Sequence, residues 1–276
     1  MIIPASDFFS RSAADLPPDV EDAFFSAIRN RNRTFKRTYQ ARFADLDAQV
    51  VRLLRGRYAK VNEVLDVGIS SGATTLDMQV ALQRDGYQPR ITGTDLELQA
   101  RLVHLGGSCS ALVSRDGHPL QLSVGPLSVR PWRRRLDWVT GMWAIRPLLF
   151  EFVKRRIAEA EGGDQVLLVS PRVVNEPSIT VVEDDVLALR PEFVGRFDFI
   201  RAANILNRDY FSDEQLRCAV RNLHRYLVTP RSLLLVVRSH NNGDHHGTLF
   251  EARGNGFAVV KRFGAGSEIE EIVLAS

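Results

Sequence analysis

Asp66-Val67-Gly68-Ile69-Ser70-Ser71-Gly72 joins a short apolar run, Glu63 to Val67, to a helical pattern that runs from Ala73 to Arg84 and stops near Gly86. A buried strand that ends in a glycine-rich turn before a helix brings backbone close to a ligand. The helix start also offers N–H groups to negative charge. Gly68 and Gly72 are four positions apart, which does not fit the G-x-G-x-x-G of dinucleotide sites, and the lysine of a phosphate loop is missing. What recurs instead is an acid, a glycine, a small residue and a glycine at two-residue steps: Asp66, Gly68, Ser70 and Gly72.

Outward from this loop, short apolar runs alternate with helical segments. Arg90 to Thr94 reads as a second strand ending at Asp95, and Ile179 to Val182 as a third, ending in Glu183-Asp184-Asp185. Phe197 to Ala202 leads into Ala203-Asn204, a helix spans Asp213 to Tyr226, and Ser232 to Val237 is a nearly all-apolar fifth strand. The alternation predicts a mostly parallel α/β sheet covered by helices on both faces. Phe257 to Phe263 and Glu268 to Leu274, around Gly264-Ala265-Gly266, read as a terminal hairpin.

The rest divides around that core. In the first sixty residues Val20, Phe24, Phe25 and Ile28, then Phe43, Leu46, Val50, Val51 and Leu54, recur at helix spacing. About 80 residues separate the second and third strands, too many for one crossover. Within them, Ala111–Ser114 and Leu120–Val124 flank an Asp116-Gly117 turn, as a hairpin would. Pro147 opens a helical pattern through Leu148, Leu149, Phe152, Val153 and Ile157, stopped by Gly162-Gly163, and Gln165 to Ser170 reads as a further strand. The expected organisation is an N-terminal helical cap, 1–60, then an α/β domain, 61–276, carrying an inserted subdomain, 106–177.

In these elements the chain resembles the class I, Rossmann-like S-adenosylmethionine-dependent methyltransferases, whose sheet has seven strands. The resemblance places Asp66, Gly68, Ser70 and Gly72 around the methionine part of S-adenosyl-L-methionine, with Ser70 where the family usually has a middle glycine. A side chain at position 68 would then fill the methionine channel. Asp95 falls 29 positions after Asp66, where the family's acid accepts from the ribose hydroxyls. Asp185, with Asp184 second, takes the adenine amino group, and the Val186 backbone reaches the ring. Asn204 falls at the loop facing the methyl group, as a cofactor or catalytic contact. The resemblance covers roughly 61–105 and 178–276. A narrower likeness, to the chemotaxis-receptor methyltransferases, rests on Asn204 followed by Tyr210-Phe211-Ser212-Asp213-Glu214, at a longer spacing than in that group.

Chemistry narrows the acceptor. A sulfonium methyl is already electrophilic, so what remains is positioning and removal of a proton. Ala203-Asn204-Ile205-Leu206 lacks the Asn/Asp-Pro-Pro-aromatic signature of many amino-directed enzymes, which points to an oxygen of a small molecule. His240 is the first candidate base, with His245 and His246 beside it, and a solvated Asn-Asn-Gly-Asp-His-His loop is the plainer account. A cofactor-binding or protein-interaction module with little catalysis, and a protein carboxyl methyltransferase, are the alternatives.

Composition sets the outer limits. The 276 residues are 45% hydrophobic and 25% charged, which suits a globular chain. Cys109 and Cys218 are too few for a disulfide framework or a four-thiolate zinc site, and no metal is expected. With no basic-then-apolar leader and no long apolar stretch, a cytoplasmic protein is expected. Basic residues cluster in 29–60, ten against two acids, and in 130–156, eight against two. The second block mixes Arg130, Arg133, Arg134 and Arg135 with Trp132, Trp138 and Trp143. It reads as a helix on the core, a lid over a small-molecule acceptor, or a contact for a membrane surface or nucleic acid.

Overall fold

The computed structural model describes residues 2–29, 36, 39–56, 61–130, 151, 153, 155–157, 162–228, 231–240 and 243–276. Its strands are β1 (Glu63–Val67), β2 (Arg90–Asp95), β3 (Gln99–Gly106), β4 (Cys109–Ser114), β5 (Pro119–Val124), β6 (Leu127–Val129), β7 (Asp164–Leu167), β8 (Ile179–Glu183), β9 (Phe199–Ala203), β10 (Leu233–Ser239), β11 (His245–Arg253) and β12 (Gly256–Phe263). The helices are α1 (Ala5–Ser10), α2 (Pro18–Ser26), α3 (Ala44–Arg55), α4 (Ala73–Arg84), α5 (Pro171–Val174), α6 (Asp213–Tyr226) and α7 (Glu270–Leu274). They fall into two compact units, Met1–Tyr39 with Glu97–Asn175, and Gln40–Leu96 with Glu176–Ser276.

The second unit holds a seven-stranded sheet in the order β12-β11-β10-β9-β1-β2-β8. Strands β8, β2, β1, β9 and β10 are parallel, and β11 and β12 follow as an antiparallel meander. This is the expected Rossmann-like architecture. The parallel strands are apolar because helices cover them: Leu65, Ile200 and Leu234 share a core with Leu216, Ala219, Val220 and Leu223 of α6. The helix starts at a capping box in which Ser212 and Gln215 exchange side-chain and backbone bonds. From β1 the chain winds outward to β2 and β8, then returns to β9 and winds the other way. The reversal leaves a crevice outside the carboxyl ends of β1 and β9, where open α/β sheets bind ligands.

Two expectations need correction. The terminal hairpin is β11 with β12, turning at Gly254 (φ 56°), and Glu270–Leu274 is a helix. Ile269, Ile272 and Val273 are all buried at helical spacing, which a strand could not do. The polar start of β11, Asp244-His245-His246-Gly247, hid that strand. The unit boundaries differ as well. Only the first part of 1–60 goes with the insertion, whereas α3 is part of the α/β unit, and the inserted segment runs Glu97–Asn175.

In the first unit, β6-β5-β4-β3-β7 form an antiparallel sheet with both faces covered. Ala100, Leu102, Leu112 and Leu120 pack against Phe8, Phe24, Phe25 and Ile28. Val103, Ala111, Val113 and Leu122 meet Val153 and Ile157 on the other side. The β4–β5 hairpin turns at Asp116-Gly117 as expected, with Gly117 at φ 81°. Trp132, Trp138, Trp143 and the start of the helix expected from Pro147 lie outside the described residues. No helix among the described residues is long and apolar enough to cross a membrane.

Candidate functional site

The loop after β1 takes its shape from three left-handed residues at two-residue steps: Gly68 (φ 76°), Ser70 (φ 59°) and Gly72 (φ 80°). Serine at such a position costs about 1–2 kcal/mol relative to ordinary backbone. The loop is folded back over β2, since the Gly68 and Ile69 N–H groups both donate to the Thr94 carbonyl, at 2.7 and 3.0 Å. Beneath it Ile69 rests on Gly93, where a Cβ would lie 3.0 Å from the Ile69 Cδ1. A Cβ on Gly68 would lie 3.0 Å from the Ile205 Cβ. The side of Gly68 on which a Cβ would stand is therefore taken by Ile205 of the loop after β9.

The structure brings the expected acids to the same edge in different states. Asp95 is half-buried at the end of β2, and its Oδ2 accepts from the Ser70 N–H at 2.8 Å. One loop of backbone thus holds the carboxylate beside the crevice. Asp184 is taken up by Arg190, 2.8 Å away. Asp185 is exposed and accepts from the Leu187 N–H, while the Val186 side chain is in the core and its carbonyl accepts from Asn222.

Asp66 departs most from expectation. It is 2% exposed and faces Arg201 on the adjacent strand β9, its direct register partner. Arg201 Nε and Nη2 donate to its two carboxylate oxygens at 2.9 and 2.6 Å, and Thr75 Oγ1 donates at 2.7 Å. Arg201, 1% exposed, also reaches Asp47 of α3 at 3.3 Å and the Thr74 carbonyl at 2.9 Å. Asp66 is therefore an anchor beneath the loop, its carboxylate held by Arg201 and Thr75. Burial, reinforced by the Asp66 charge and opposed by Arg201, pushes Asp47 up to about 6. The sequence contained one signal for this cluster, an arginine alone in the apolar run of β9.

At the ends of β9 and β10, Asn204 adopts φ 60° and its Oδ1 accepts from the Ser239 N–H at 2.6 Å. Its carboxamide oxygen thus ties two strand ends together instead of facing a ligand. His240 is exposed, with its ring 4.6 Å from that of His246. His246 is also held, its Nδ1 accepting from the Ala265 N–H at 2.8 Å. His245 has a hydroxyl partner: its Nδ1 is 2.9 Å from Ser239 Oγ, and its ring lies 4.8 Å from Phe43. Burial lowers the basicity of His245. No group of three metal-ligating side chains comes together among the described residues.

No protein-family model and no curated protein matches this sequence. Solved structures to which it is similar include the CMeT domain of the citrinin polyketide synthase, at 16% identity and a TM-score of 0.38, over 83% of this chain and 42% of that one. Another is an amino pentose methyltransferase from Micromonospora echinaspora, solved with SAM bound, at 12% identity and a TM-score of 0.38, over 84% of this chain and 81% of that one. A third is a sugar N-methyltransferase from a Streptoalloteichus species, at 15% identity and a TM-score of 0.35, over 85% and 76% of the two chains.

Proposed function

We propose that the chain is an S-adenosylmethionine-dependent methyltransferase acting on an oxygen of a small molecule. The observation that carries this reading is the reversal of strand order between β1 and β9, beside which the left-handed loop 68–72 holds the Asp95 carboxylate at the end of β2. A carboxylate there suits two neighbouring ribose hydroxyls, since both of its oxygens are acceptors. The donor set fits the cofactor in this respect: Asp95 would take the ribose, the loop backbone the amino-acid part, and Asp185 with the Val186 backbone the adenine edge. Bound there, S-adenosylmethionine supplies an electrophilic methyl group. The chain's own tasks are to hold the acceptor and remove its proton.

Calorimetric titration with S-adenosylmethionine and with S-adenosylhomocysteine tests the proposal, and micromolar binding of either supports it. Asp95→Ala is expected to weaken both by about ten- to a hundredfold, the worth of hydrogen bonds to a charged group. Well-folded protein that binds neither ligand would reduce the loop to a structural turn. Binding without methyl transfer to any of a panel of hydroxylated and carboxylated compounds would favour a cofactor-binding module.

A further inference from the structure

We propose that Ser239 and His245 form a proton-accepting pair at this sheet edge, with Ser239 Oγ facing the acceptor and His245 the final base. The proposal rests on the methyl-transfer reading above and adds to it the residues that deprotonate the hydroxyl. Ser239 is the last residue of β10 and His245 the first of β11, and the two are direct cross-strand partners. Their side chains meet at 2.9 Å. The ring also makes a hydrogen bond to the Arg42 backbone that favours its charged form. In the tautomer that carries its proton on Nε2, Nδ1 is the acceptor for Ser239 Oγ–H. A hydroxyl and a base are thus within hydrogen-bond reach of each other.

The pair is connected to the crevice by a short path. Ser239 N–H donates to Asn204 Oδ1, and the next residue, Ile205, packs on Gly68. The groups facing the ring are Arg42, which opposes its protonation, Asp244 and Asp45, which favour it, and Phe43. Both Ser239 and His245 are half-buried. In the reaction, the acceptor O–H bond breaks toward Ser239 Oγ as the Ser239 proton passes to Nδ1 of His245. The ring then carries two N–H groups, and the acceptor oxygen keeps the electron pair that bonds to the methyl carbon. The proton leaves the ring to solvent afterwards.

An alkyl fluorophosphonate tests the pair without any knowledge of the acceptor. Attack by Ser239 Oγ forms an O–P bond, expels fluoride and leaves the serine proton on His245. Mass spectrometry of the full chain is expected to place the label on Ser239. His245→Gln is expected to lower the rate by about a hundredfold, the usual worth of a general base, and His104→Gln to leave it unchanged. The rate is expected to rise with pH through the His245 titration and to level off below the ordinary histidine value. Binding of S-adenosylhomocysteine, measured on the same variants, shows whether each is folded and keeps the two proposals separate. No label on Ser239, or a rate indifferent to His245→Gln, in protein that binds S-adenosylhomocysteine overturns the pair and leaves the methyl-transfer reading standing. Labelling that depends on His245 in protein that binds no cofactor upholds the activated serine and overturns the methyl-transfer reading.

Discussion

The Asp47–Arg201–Asp66 cluster and the Ser239–His245 pair are held by one stretch of chain, residues 42–47, yet they occupy opposite regimes. Arg42 and Phe43 face His245, Phe43 also lies 5.9 Å from the Arg201 guanidinium, and Asp47 bonds Arg201. The cluster is sealed, and Arg201 and Asp66 find their charge partners in each other and in Asp47. The pair stands half-open at the strand ends. Ionic groups buried this deeply contribute little by existing and much by not being broken. A half-exposed hydrogen bond is the reverse, nearly neutral for stability and open to chemistry. The same polar atoms therefore serve as structure or as site according to how much water reaches them.

Breaking the cluster should show this most. Arg201→Met leaves Asp47 and Asp66 buried without a cation, and urea unfolding is expected to register a loss of about 3–5 kcal/mol. A loss below about 1 kcal/mol would mean that the carboxylates find other partners, and the contrast with the edge pair would disappear.

Asp47→Asn sharpens the comparison through pH. The folded value of about 6 lies above the ordinary 3.8, so the folded protein holds this proton more tightly than the unfolded chain. Its contribution is complete below pH 3.8 and is lost as pH rises through about 6. Wild-type stability relative to Asp47→Asn is therefore expected to fall by about 3 kcal/mol between those limits, as thermal unfolding across pH would record. A flat difference would remove Asp47 from the cluster.

At the edge the effects shrink. Gly68→Val must take φ 76° with a β-branched side chain against Ile205, and is expected to destabilise by about 1–3 kcal/mol. Unchanged stability would mean that Ile205 moves aside easily. Asn204→Ala removes the acceptor of the Ser239 N–H and is expected to cost about 1 kcal/mol by the same measurement. A much larger loss would make the strand ends as much a part of the core as Arg201.

The architecture was legible because its signals are local. An apolar run, a glycine turn and an amphipathic helix each occupy a dozen residues or fewer, and their order along the chain implies a parallel sheet. The spacing of Gly68, Ser70 and Gly72 was likewise local, and each adopts the left-handed conformation that small residues permit. Asp95 could be placed because a residue at a strand end is positioned by that strand alone. What misled was polarity without context. His245 and His246 in a run of polar residues resembled a loop, and the first strand of the terminal hairpin passed unseen. Glu268 to Leu274 carries apolar residues that suit a strand or a helix, and only packing selects the helix.

The sequence by itself determined a glycine-turned, mostly parallel α/β sheet and the acid that closes the second strand, since each follows from periodicity and backbone sterics within one element or its neighbours. The tertiary structure alone decided that Asp66 is spent on Arg201 and that α3 belongs to the sheet. It also decided that Ile205 fills the space beside Gly68, and that His245 rather than His240 has a hydroxyl partner. The first three depend on side chains from elements far apart in sequence and the last on the register of two neighbouring strands, and each is set only when packing brings the partners together.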